Sequence, residues 1–115
     1  LSARQRMDRI YLPYITDPAG TNGGFGLTQY SFAAGSGYDA NDLFAGTDSR
    51  GLELFLCEKP AADIPSPNCL ALDRPLGPEG NQAALSWRFK RAYLARWREV
   101  TNGVYGLIAR FETPD

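Results

Sequence analysis

The dipeptide Asn102-Gly103 constrains the fold of this chain more than any other feature. It stands between two apolar runs in RWREVTNGVYGLIARF. In a β-hairpin, Asn-Gly supplies the two positive φ angles of a type I′ turn. At the end of an amphipathic helix, the glycine supplies the stop. The residues before it fit both. With period two, Leu85, Trp87, Phe89, Tyr93, Ala95 and Trp97 share one face, with Arg91 as the misfit. Ser86, Arg88, Lys90, Arg96 and Arg98 then share the other, with Leu94 as the misfit. With period 3.6, Leu85, Phe89, Ala92, Tyr93, Trp97 and Val100 form a stripe, and Trp87 and Leu94 fall on the polar side. Ala, Leu, Arg and Gln favour helix; the aromatic content favours strand. Residues 83–100 by themselves leave helix and strand open. The residues that follow tip the balance. Val104, Leu107 or Ile108, and Phe111 read as a strand with a bulge at Gly106. A hairpin accounts for both flanks of Asn102-Gly103, a helix stop for one, so a hairpin is expected.

The remainder reads as an α+β domain, with a short N-terminal helix on an antiparallel sheet. The 115 residues are enough for one domain and one core, residues 1–115. Residues 1–14 hold the helix. Ser2 and Gln5 have capping-box spacing, and Met7, Ile10, Tyr11 and Tyr14 lie at i, i+3, i+4 and i+7. Pro13 stops the regular helix near Leu12. Residues 15–50 read as loop-rich. DPAGTNGGFG lacks the Gly-Lys-Ser/Thr of a phosphate loop and reads as a flexible loop. GLTQYSFAAG is a plausible first strand. GSGYDANDLFAGTDSRG reads as loop, and its Asp39, Asn41, Asp42 and Asp48 do not follow the calcium-loop order. Residues 51–115 read as sheet. GLELFLC is the clearest strand, with Leu52, Leu54 and Leu56 opposing Glu53, Phe55 and Cys57. LALDRPLGPEGN reads as connection.

Two cysteines, Cys57 and Cys69, flank the proline-rich EKPAADIPSPN. That loop has no periodicity of its own to hold it. A disulfide is therefore favoured over two reduced buried thiols, and it implies an oxidising compartment.

The chemistry of catalysis has little to work with. The chain has no histidine, so histidine-based nucleophilic and metal sites are excluded. Its acids are scattered and form no specific pair. No enzymatic activity, metal or cofactor is expected. The net charge of −1 is unevenly spread: residues 10–85 carry nine acids and three bases. Residues 86–98 carry Arg88, Lys90, Arg91, Arg96 and Arg98 and no acid. Arg88, Lys90, Arg96 and Arg98 form a candidate basic interaction strip. Its interleaved rings suggest a single-strand nucleic-acid platform, but the strand reading puts rings and cations on opposite faces. A nucleic-acid partner is not expected. No apolar run reaches the ~18 residues of a membrane span. The chain starts at Leu1, which is expected of a processed or shortened chain.

Three segments resemble one family. GTDSRGLELFLC resembles the polar turn and alternating strand of PilW-like minor pilins and J-type pseudopilins of the type IV filament superfamily. LSWRFKRAYLARW resembles their paired strands. VTNGVYGLIARFETPD resembles their closing segment, through Gly103, Val104, Leu107, Phe111 and Asp115. The resemblance covers about half the chain, mostly its second half. It implies a pilin-like head whose N-terminal helix, apolar and membrane-anchoring upstream, is represented here by its C-terminal end. Met7, Ile10 and Tyr14 would dock that helix on the sheet. It implies a non-enzymatic subunit, in the periplasm or a cell-surface filament, that primes or caps a pilus or secretion pseudopilus. Its partners would be other minor pilins or pseudopilins, the major pilin, and the inner membrane. The alternative is a periplasmic or secreted disulfide-stapled binding domain, such as an inhibitor or immunity protein.

Overall fold

The computed structural model describes residues 2–75 and 84–112. Among them, six antiparallel strands form one sheet in chain order: β1 Thr21–Gly24, β2 Leu27–Ser31, β3 Asn41–Asp48, β4 Gly51–Glu58, β5 Asn68–Pro75 and β6 Ala84–Lys90. Helical segments pack on both faces. The sheet is thus the middle layer of three, and the fold is α+β.

The first covering layer is the N-terminal segment. Helix α1 (Ala3–Arg6) opens with a capping box: Gln5 N donates to Ser2 Oγ at 3.1 Å, and Ser2 N donates to Gln5 Oε1 at 2.9 Å. A π-helical turn (Met7–Tyr11) and a 3-10 turn (Leu12–Tyr14) containing Pro13 carry the chain off the helix. Met7, Tyr11 and Ile15 are buried with Phe32, Leu43 and Leu54. Burial of side chains this size contributes about 1.5–3 kcal/mol each.

The second layer is a 3-10 segment (Arg91–Arg96) running into helix α2 (Trp97–Glu112). Leu94 and Trp97 bury against Leu27, Phe44, Phe55, Cys57, Cys69 and Ala71. Phe55 meets Trp97 and Phe89 edge-on, with centroids 5.7 and 5.6 Å apart. Such pairs add about 0.5–1.5 kcal/mol beyond area burial.

Asn102-Gly103 therefore lies inside a helix, not in a hairpin turn. Neither residue has positive φ. The segment expected to be strand throughout is strand only to Lys90 and turns helical at Arg91. Trp97 and Thr101, four residues apart and both essentially unexposed, fix the face that α2 lays on the sheet. That tertiary burial outweighs the local hairpin signal. The closing strand expected from Val104, Leu107 or Ile108, and Phe111 is absent: residues 104–112 are helical.

Two further expectations need correction. Residues 15–50 contain three strands. The glycine-rich stretch folds as a tight hairpin, with positive φ at Gly24 (80°), Phe25 (57°) and Gly26 (79°) between β1 and β2. Phe25 is the strained residue of the three. Its carbonyl accepts from Trp97 Nε1 at 2.9 Å and from Arg98 Nη1 at 3.3 Å, which ties the turn to α2. β3 lies within the stretch read as loop. It is covered on both faces, so Leu43 and Phe44 are buried side by side and the period-two pattern disappears. Within the stretch read as connection over 70–81, residues 70–75 belong to β5. Residues 76–81, Asp115, and the side chains of Leu85 and Phe111 lie outside the described residues.

Candidate functional site

Cys57 and Cys69 form a disulfide between directly opposed residues of β4 and β5, with Cα atoms 4.0 Å apart. Both are fully buried beneath the C-terminal helical layer. The bond closes the base of the loop over 59–67. A second clamp reinforces it. Arg91, the first residue past β6, places Nη1 2.9 Å from Asp42 Oδ2 and 2.8 Å from the Glu58 carbonyl. Its backbone N–H donates to the Pro67 carbonyl at 2.8 Å. One arginine thereby holds both ends of the loop. The guanidinium also sits 5.1 Å from the Phe44 ring centre. Asn68 N donates to Glu58 Oε1 at 2.8 Å across the same base. The sequence signals Arg91 only by its place as the misfit among the rings of the period-two face; Asp42 reads as one of several loop acids.

The three docking positions are not equivalent. Met7 is buried, and Ile10 packs partly buried against the same cluster. Tyr14 sits in the 3-10 turn, 45 % exposed, with its ring 5.9 Å from that of Tyr38. Pro13 rotates Tyr14 away from the docking face. Tyr11 and Ile15 fill the face instead.

The four strip cations are not brought together. Arg88 and Lys90 are exposed on β6. Arg96 and Arg98 belong to the layer over the opposite face. Arg96 Nε and Nη2 donate to Glu99 Oε2 at 3.0 and 2.6 Å. That hydrogen bonding, then the carboxylate's charge, pushes Arg96 still higher above its ordinary pKa. Arg98 stacks 4.4 Å from the Trp97 ring and donates to Phe25. A cleft of about 220 Å³ lies beside them, lined by Phe25 and residues 95–99. A second, of about 250 Å³, lies on the sheet beside Arg88, with Asn41, Leu56, Glu58, Asn68 and Leu70 in its walls.

Among the described residues, no three His, Cys, Asp or Glu side chains are grouped to hold a metal ion. No helix among them is long and apolar enough to cross a membrane. Among the described residues, the surface carries a doubly anchored loop, shallow clefts and an exposed charged strand. Compared with protein-family profiles, with curated proteins and with solved structures, the chain matches none.

Proposed function

We propose that this chain is the head of a minor pilin or pseudopilin, a non-enzymatic subunit that primes or caps a type IV pilus or secretion pseudopilus. The observation that carries the reading is the N-terminal segment. It lays Met7, Tyr11 and Ile15 on an antiparallel sheet and leaves Arg4, Asp8 and Arg9 exposed. An apolar helix encoded ahead of Leu1 would continue from that segment, anchor in the inner membrane, and later pack in a filament core. The buried disulfide supports a periplasmic or cell-surface location. Other minor pilins or pseudopilins and the major pilin would be its partners.

One observation favours a second reading. A helix, α2, covers one sheet face where the sequence leads to a closing strand. A periplasmic or secreted binding domain, such as an inhibitor or immunity protein, needs only a compact stapled fold of this kind. The coding sequence ahead of Leu1, read with the mass of the mature protein from its native host, separates the two. The filament reading predicts a retained apolar helix behind a short basic leader with Gly and Glu at the processing site. A cleavable signal ending in small residues, or a lipobox cysteine, would replace it with the second reading.

A further inference from the structure

The two edges of the sheet are unlike. β1 has four residues and an irregular register between Asn22 and Gly24. Shortness and bulging blunt an edge against pairing. β6 has seven residues, and among the described residues it pairs with β5 alone. The register fixes which of its backbone groups face outward. Cys57 and Cys69 are opposed at a Cα separation of 4.0 Å, which marks a non-hydrogen-bonded pair. Cys69 therefore turns its N–H and C=O toward β6, where Phe89 is its partner. Alternation then turns the N–H and C=O of Arg88 away from β5, together with those of Ser86 and the N–H of Lys90. The Arg91 N–H bond to Pro67 follows the same alternation.

The side chains at these positions add charge. Ser86, Arg88 and Lys90 are exposed and point to the sheet face opposite Trp87 and Phe89. They recur every second residue, at about 6.5–7 Å. Among the described residues, no carboxylate forms an ion pair with Arg88 or Lys90. Two copies of β6 paired antiparallel would oppose these cations to each other, and like charges directly opposite destabilise a ladder. The edge thus rejects its own copy and suits a strand of opposite charge.

We infer that β6 accepts an extended acidic segment of a partner protein, with Asp or Glu at alternate positions. Main-chain hydrogen bonds to Ser86, Arg88 and Lys90 supply affinity. Carboxylates on the added strand face Arg88 and Lys90 and set its register. This inference does not rest on the filament reading: it uses only the β6 edge and its two cations, as the described residues place them.

The test uses the full chain and a labelled short peptide that alternates Glu with Val and Thr. Binding is followed by fluorescence anisotropy, and amide exchange by heteronuclear NMR. The expected result is saturable binding with slowed exchange at Arg88 and Ser86. The double substitution Arg88→Glu with Lys90→Glu, at exposed sites, lowers affinity by about tenfold or more. A peptide N-methylated at alternate residues, with its charges intact, loses binding as well. Three results would overturn the proposal: no binding of the parent peptide, equal binding of the N-methylated one, or tighter binding of a single-stranded oligonucleotide at the same residues.

Discussion

Gly46 of β3 lies directly beneath the indole of Trp97. A β-carbon at Gly46 would stand 2.8 Å from Trp97 Cζ2, 2.9 Å from Cη2, and 2.8 Å from Leu27 Cδ2. Leu27 and the indole are both buried in one packed cluster, so neither has room to move aside. Gly46→Ala is expected to destabilise the protein by about 1–3 kcal/mol, the usual cost of overpacking. Urea denaturation of the purified variant measures it.

The disulfide acts mainly on the unfolded chain, where it closes a short loop. Joint replacement of Cys57 and Cys69 by Ala is expected to remove about 3 kcal/mol. The same loss should appear when the native protein is denatured in a strong reductant. Equal midpoints with and without reductant would show that the pair contributes nothing.

Arg91→Leu removes the cation that serves Asp42 and the Glu58 carbonyl. Asp42 is left buried without that partner, at a cost of about 3 kcal/mol or more. The loop over 59–67 also loses the side-chain bond to the Glu58 carbonyl, while the backbone bond to Pro67 stays. Limited proteolysis should cut that loop faster than in the parent, even under conditions where the variant stays folded.

Thr101 is fully buried, and its Oγ1 has no hydrogen-bond partner among the described residues. Thr101→Val keeps the shape and removes the unmatched hydroxyl. The variant is expected to be more stable by about 1 kcal/mol. A rise of a few degrees in the thermal midpoint checks this.

Legibility in the sequence followed burial. β4 was readable because Leu52, Leu54 and Leu56 alternate with other residues between turn formers. β3 was not, because adjacent Leu43 and Phe44 bury against different layers. The capping box at Ser2 was legible because it is local. The local marks of α2, the stripe through Trp97 and Val100, are matched by an equally local hairpin signal, and what decides for helix, the seat of Trp97 on Gly46 and Phe55, lies about half the chain away. The basic strip divides for a related reason. Four cations that look like one strip divide between strand and helix once the chain changes conformation at Arg91.

The covering of the second sheet face by α2 decides the most. It places the cations of β6 apart from those of the helix. Gly103 tests it directly. The residue is exposed within α2, and a β-carbon there meets nothing within 4 Å. In a helix, Gly103→Ala gains about 1 kcal/mol of propensity. In a type I′ hairpin turn, the same change forces alanine to positive φ and costs stability. The account predicts a higher thermal midpoint for Gly103→Ala with unchanged or increased helical circular dichroism. A lower midpoint with loss of binding to the acidic strand would contradict it.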